Sequence, residues 1–98
     1  MNEEVAIHDN EFLRQFEFKN GQALAKIEYS LQERKVFLTK LVIPEELQKG
    51  DFEEQFITAV LKNIESRNQH VVPTSPKIAG FLRKHKEFKE LLPVGVRI

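Results

Sequence analysis

Apolar and polar residues alternate on both sides of the dipeptide Asn20-Gly21, which predicts a β-hairpin over Glu11–Ser30. Asn-Gly is a strong signal for a two-residue type I′ turn, because both central residues of that turn need positive φ. The alternation places Phe12, Phe16 and Phe18 on one face of the first strand.

A turn at Asn20-Gly21 would also set the pairing of the two strands. If Lys19 pairs with Gln22, large residues face small ones across the ladder. The predicted pairs are Phe18 with Ala23, Phe16 with Ala25, Arg14 with Ile27, Phe12 with Tyr29 and Gln15 with Lys26.

A third strand over Lys35–Ile43 follows a second turn at Leu31–Arg34, which predicts an antiparallel meander. Residues 1–10 are polar and are interpreted as a loose lead-in, with an edge strand at Val5–Ile7. The third strand ends in VIPEEL, where Pro44 marks a turn.

An amphipathic helix is predicted after this turn, because apolar residues recur every three or four positions. Asp51 is the expected N-cap, and Glu54 stands three residues later as in a capping box. Arg67 and Asn68 are suited to end the helix. The apolar stripe comprises Phe52, Phe56, Ile57, Ala59, Val60, Leu61 and Ile64.

The remaining chain predicts one more strand and one more helix. The segment His70–Val72 is β-branched and can lie parallel to the third strand, since a helix intervenes. Ser75 and Pro76 mark a helix start as N-cap and first helical residue. A short helical turn is expected over Lys86–Leu92, before a tail over 93–98. The predicted class is α+β, a three-stranded antiparallel meander extended by a parallel strand, with two main helices on the sheet.

Composition narrows the function classes. The 98 residues form one expected domain, and 15 basic residues balance 15 acidic ones, which argues against nucleic acid as a partner. The chain has no cysteine, so disulfides and thiolate chemistry are excluded. Its three histidines lack metal-ligand spacing, and no apolar run predicts a membrane partner. We expect a cytoplasmic protein without a metal.

The junction between the third strand and the long helix is the place where a ligand could bind. A helix N-terminus offers free backbone N–H groups and the positive end of the helix dipole, which suits a phosphate. Lys49 and Gly50 lie in this junction, where a plain turn is an equal alternative. Ser75 offers a hydroxyl at the second helix start, but helix capping explains it more simply than nucleophilic catalysis.

Three local motifs resemble the small single-domain branch of the GNAT superfamily of acyl-CoA-dependent N-acyltransferases. LTKLVIPEEL is similar to the strand and turn T-H-T-x-V-P-x-x-L of that family, and HVVPTSPKIAGFL to its V-x-P-x-C-P/S-x-V-x-x-F. RKHKEFKELL is similar to its closing R-H-P-E-Y-x-x-L. The resemblance covers roughly residues 12–92 and implies a minimal GNAT-like fold.

The resemblance implies acetyl-CoA or another acyl-CoA as cofactor and an amine as acceptor. The cofactor would lie along Val42 and Ile43, with its pyrophosphate at Gln48, Lys49 and Gly50. In the family the loop has the form Q/R-x-x-G-x-G/A, whose glycines let backbone N–H groups close around the pyrophosphate.

This loop departs from the family pattern, because Asp51 and Glu53 stand where two small residues belong. Ser75 replaces the cysteine that the branch often carries, and Lys40 replaces a histidine. Two functions therefore remain open. One is an acyl-CoA-dependent N-acetyltransferase, and the other is an inactive GNAT-fold module that binds a protein partner and no CoA.

Overall fold

A computed structural model describes residues 6–96, which form a five-stranded sheet and two main helices. The strands lie side by side in sequence order, antiparallel except for the last pair. This arrangement confirms the α+β class, the meander and the parallel strand, and adds a fifth strand at the edge. The elements are β1 (His8–Asn10), β2 (Gln15–Asn20), β3 (Ala23–Gln32), β4 (Lys35–Val42), α1 (Phe52–Ser66), β5 (His70–Pro73) and α2 (Pro76–Lys84), with 3-10 turns at Glu45–Leu47 and Lys86–Leu91.

Strand β1 lies later than the edge strand predicted at Val5–Ile7, and within the predicted lead-in. Its side chains are polar, and hydrogen bonds to other elements, rather than burial of apolar side chains, hold it in place. Asp9 accepts a hydrogen bond of 2.7 Å from the Tyr29 hydroxyl and one of 2.6 Å from the Arg67 guanidinium. Val5, the rest of 1–5 and the tail residues 97–98 lie outside the described residues.

The hairpin between β2 and β3 forms as predicted, but its register differs by two residues. Asn20 pairs with Ala23, so the loop consists of Gly21 and Gln22. Gly21 has a φ of 63°, whereas Asn20 lies outside the left-handed region. A type I′ turn needs positive φ at both loop residues, and here only the first, Gly21, has it. The predicted type I′ turn is therefore not formed.

The register changes the partners of β2 without changing its faces, because side chains alternate with a period of two. Phe16 pairs with Ile27 instead of Ala25, and Phe18 with Ala25. Gln15 pairs with Glu28 rather than with Lys26.

Phe12 was predicted on the buried face of a strand opposite Tyr29, and this prediction is wrong. Residues 11–14 form the turn between β1 and β2, so Arg14 does not pair with Ile27. The backbone N–H of Leu13 donates to the Asn10 side chain, 3.1 Å, and Arg14 adopts a φ of 57°. Phe12 is consequently 92% exposed.

The inward side chains of β2 to β5 and both helices form one apolar core. The predicted stripe of α1 is buried or half-buried, with Phe52 between Phe18 and Phe56, at ring centroid distances of 5.1 and 5.7 Å. Residues buried from α2 and the following 3-10 turn complete the core. They are Ile78, Phe81, Leu82, Phe88 and Leu91.

Strand β4 changes register at a bulge, close to the point where its pairing with the last strand ends. Glu28 pairs with Lys40 and Tyr29 with Leu38, so Thr39 is an extra residue. Pairing with β5 ends at Leu38 and Pro73, since proline has no N–H to continue a ladder. The end of β4 therefore lacks a β5 partner.

Candidate functional site

A shallow cleft of about 190 Å³ lies where β4 ends and the two helices begin. The 3-10 turn at Glu45–Leu47 carries the chain from β4 toward α1, and buried Leu47 fixes it to the core. The structure thus brings together four of the five residues that the resemblance implied for cofactor binding. The lining residues are Ile43, Gln48, Lys49, Gly50, Glu53 and Lys77. Val42, the fifth, is half-buried at the end of β4.

The loop before α1 contains backbone amides that have no hydrogen-bond partner among the described residues. Gln48 holds the loop by donating from its side-chain amide to the Ile43 carbonyl, 2.8 Å. Gly50 has a φ of 58°, a conformation that glycine adopts without strain. Within residues 6–96, nothing accepts a hydrogen bond from the N–H of Gly50, Asp51 or Glu53. Unpartnered amides at a helix N-terminus suit an anion.

The predicted capping of α1 by Asp51 and Glu54 is not formed. Asp51 occupies the N-cap position, but its side chain makes no cap hydrogen bond. Its φ of −106° and ψ of 24° differ from the extended backbone that directs a cap side chain toward the helix amides. Asp51 is exposed and does not line the cleft. The first turn of the helix is therefore not capped by either side chain.

Two charged side chains face each other across the cleft. The Lys77 ammonium lies 4.0 Å from a carboxylate oxygen of Glu53. Their side chains are 70% and 46% exposed, so the pair is weak and its members can exchange partners. Sequence reasoning missed Lys77, although its position directly after Ser75-Pro76 places it in the first turn of a predicted helix.

Ser75 lies outside the cleft and is buried. Its backbone N–H donates to the Leu38 carbonyl, 3.1 Å, beside a bond from the Thr74 hydroxyl to the same oxygen, 3.0 Å. Ser75 is the N-cap residue of α2 and Pro76 the first helical residue, as predicted, but the Ser75 side chain makes no cap hydrogen bond. The Ser75 hydroxyl has no hydrogen-bond partner among the described residues, so neither role predicted for it, capping or catalysis, has a supporting contact.

The histidines do not extend the site. His85 stacks on Phe81 with ring centroids 4.0 Å apart, and its ring nitrogens lie 3.6 and 3.8 Å from carboxylates of Glu54 and Glu87. Over residues 6–96 no group of three or more potential metal ligands occurs. No helix of this part of the chain is long and apolar enough to span a membrane.

The bulged β4, the parallel β5 and the cleft at the start of α1 define an N-acetyltransferase-like α+β domain. The sequence model of the GCN5-related N-acetyl-transferase family matches residues 15–91, and the chain belongs to this family.

One similar solved structure is the NMR solution structure of a GCN5-like protein from Staphylococcus aureus, for which N-acetyltransferase activity has been proposed. The two structures share a TM-score of 0.69 and 17% sequence identity over 91% of this chain and 88% of the other. This likeness supports the fold alone. No curated protein matches the chain significantly.

Proposed function

We propose that the protein is an acyl-CoA-dependent N-acetyltransferase whose cleft binds the diphosphate of the cofactor. The observation that carries this proposal is the open start of α1, where amides without partners and Lys49 and Lys77 line the same cleft. Backbone amides, a helix dipole and lysines together favour a phosphate.

The residues present fit a diphosphate. A side chain added at Gly50 would meet nothing within 4 Å, so the backbone there is open to a ligand. The cleft volume of about 190 Å³ is smaller than the roughly 300 Å³ or more of sites that enclose a whole ligand. We infer that the cleft holds only the diphosphate, and that the rest of the cofactor follows the end of β4, which lacks a β5 partner, past Ile43 and Val42.

The acidic residues of the loop weaken this site less than the sequence suggests. A carboxylate ~5 Å from a phosphate costs about 3 kcal/mol at an effective dielectric near 20. Asp51 lies outside the lining, and Glu53 is opposed by Lys77 at 4.0 Å. A lysine at a similar distance from the phosphate offsets the repulsion from Glu53.

The reaction would be direct transfer without an enzyme-bound intermediate. The neutral amine of the acceptor would attack the thioester carbonyl carbon, forming a C–N bond as the C–S bond breaks. The amine proton would leave to solvent, and the CoA thiolate would depart. Ser75 takes no part in this scheme, because its side chain is buried outside the cleft.

Calorimetric titration with acetyl-CoA at low salt tests the proposal. We expect saturable binding to the wild type, binding several-fold weaker in Lys77→Ala, and binding several-fold tighter in Glu53→Gln. Lys62→Ala, which removes an exposed lysine from α1 outside the cleft, is the matched control and should leave the affinity unchanged. Absence of binding by both the wild type and Glu53→Gln would refute the proposal and favour an interaction module without CoA.

A further inference from the structure

We propose that Glu17, together with Gln15 and Asn10, forms a binding site for a primary ammonium group on the sheet face opposite the helices. Phe18, the neighbour of Glu17, packs on Phe52 of α1. Because side chains alternate along a strand, Glu17 projects to the other face. This cluster is separate from the cleft between β4 and the helices.

The Glu17 carboxylate is held in a fixed orientation by two amides. The side-chain amides of Gln15 and Asn10 both donate to its Oε2, the latter at 3.0 Å. Glu17 and Gln15 are each only 7% exposed. The second oxygen, Oε1, has no hydrogen-bond partner within residues 6–96, yet it is not fully buried. One oxygen is thus saturated and the other is available to a ligand.

Glu17 forms no salt bridge with a described residue, although Lys19 on the same strand and His8 opposite it on β1 are close enough to act on it electrostatically. Across the ladder with β3, Glu17 is opposite Lys26, whose ammonium pairs with Glu28 at 3.0 Å. The hydrogen bond from Gln15 lowers the pKa of Glu17 despite its burial, so the carboxylate is ionised at neutral pH. Burial of a charge without an ion-pair partner is costly, so a cation that pairs with Glu17 would recover part of this cost.

An alkylammonium fits this arrangement better than other cations. It offers three N–H donors on a compact charge. Glu17 Oε1 can accept one of them, and the Gln15 amide oxygen, which also lacks a partner within residues 6–96, can accept a second. A purely structural role, fastening β1 through Asn10, would not need the charge, because a glutamine oxygen accepts the same two hydrogen bonds.

The site would place an amine on the same sheet as the proposed cofactor cleft. Glu17, Lys26 and Val42 form one row across β2, β3 and β4, and the chain enters the cleft at the next residue. The inference that the acceptor substrate binds at Glu17 rests on the proposed function, whereas the inference that an ammonium group binds there does not.

NMR titration of the ¹⁵N-labelled protein without acyl-CoA tests the site. The probe is n-propylammonium, and the observables are the side-chain amide signals of Gln15 and Asn10. We expect saturable shifts of both signals in the wild type and in Glu65→Gln, a control that removes an exposed carboxylate of α1 and leaves the Lys26–Glu28 pair intact. In Glu17→Gln the affinity should fall at least tenfold.

Tetramethylammonium carries the same charge without N–H donors and should cause no saturable shift in the wild type. Equal shifts with both cations, or unchanged binding in a Glu17→Gln protein that retains the wild-type melting temperature, would overturn the proposal. If Glu17→Gln does not fold, the comparison of the two cations on the wild type decides the result. Failure here leaves the acetyl-CoA titration unaffected, so the two proposals fail separately.

Discussion

Replacing Phe16 with alanine tests the core assignment of the hairpin. Phe16 is 1% exposed and its ring lies 4.8 Å from that of Tyr29. Truncation of a buried phenylalanine to alanine costs about 3–5 kcal/mol. Loss of the aromatic pair contributes about 0.5–1.5 kcal/mol, which favours the upper part of that range. Since a domain of this size has a stability of roughly 5–15 kcal/mol, the variant should retain a fold that is much less stable.

Urea unfolding followed by circular dichroism measures this loss. With a slope of about 2 kcal/mol/M, a loss of about 4 kcal/mol lowers the midpoint by roughly 2 M. Phe12→Ala is the matched control, because Phe12 is 92% exposed and its loss should change stability by less than about 0.5 kcal/mol. A loss below about 1 kcal/mol for Phe16→Ala, or equal losses for the two variants, would refute the face assignment of β2.

Two further predictions concern single side chains. The Ser75 side chain makes no cap bond, so Ser75→Ala should lower the free energy of unfolding by well under the ~1 kcal/mol of a lost cap. A larger loss, measured by urea unfolding, would show that the hydroxyl caps α2. Burial, followed by the bond to Asp9, raises the pKa of Tyr29 from 10.0 to about 12. Its protonated form is therefore favoured in the folded state, so stability on the order of 2 kcal/mol is present below pH 10.0 and lost as the pH rises through about 12. Urea unfolding at alkaline pH should show a shallower decline in Tyr29→Phe than in the wild type, and parallel declines would contradict the pKa assignment.

The sequence predicted faces and elements better than register. Alternation in β2 identifies Phe16 and Phe18 as inward residues, and a shift of two preserves that assignment. The same periodicity cannot distinguish a loop at Asn20-Gly21 from one at Gly21-Gln22. Phe12 was misassigned because an apolar residue in a turn continues the alternation by chance.

Strand β1 was placed wrongly for a different reason. His8, Asp9 and Asn10 give no apolar signal, and their strand depends on partners from distant parts of the sequence, such as Tyr29 and Arg67. Pattern analysis favours Val5–Ile7, a run of three apolar residues, because side-chain hydrogen bonds leave no hydrophobic pattern in the sequence.

The sequence predicted the part of the cleft whose residues are close together along the chain. Ile43 and Gln48 to Gly50 follow one another along the chain, and family resemblance identified them. Lys77 joins them only because β5 returns α2 to the start of α1. Asp51 and Glu53 were treated as equivalent obstacles, but only Glu53 lines the cleft, since the loop and first helical turn point the two residues differently.

The sequential order of the strands has a consequence for folding kinetics. Strands β1 to β4 each pair with a neighbour that is adjacent in the chain, so this part of the sheet can form through short-range contacts. Pairing of β5 with β4 must close a loop around α1, which makes it the slower step. The cleft needs both the end of β4 and the start of α2, so it is completed late. A ligand in the cleft should therefore slow unfolding while leaving the refolding rate nearly unchanged.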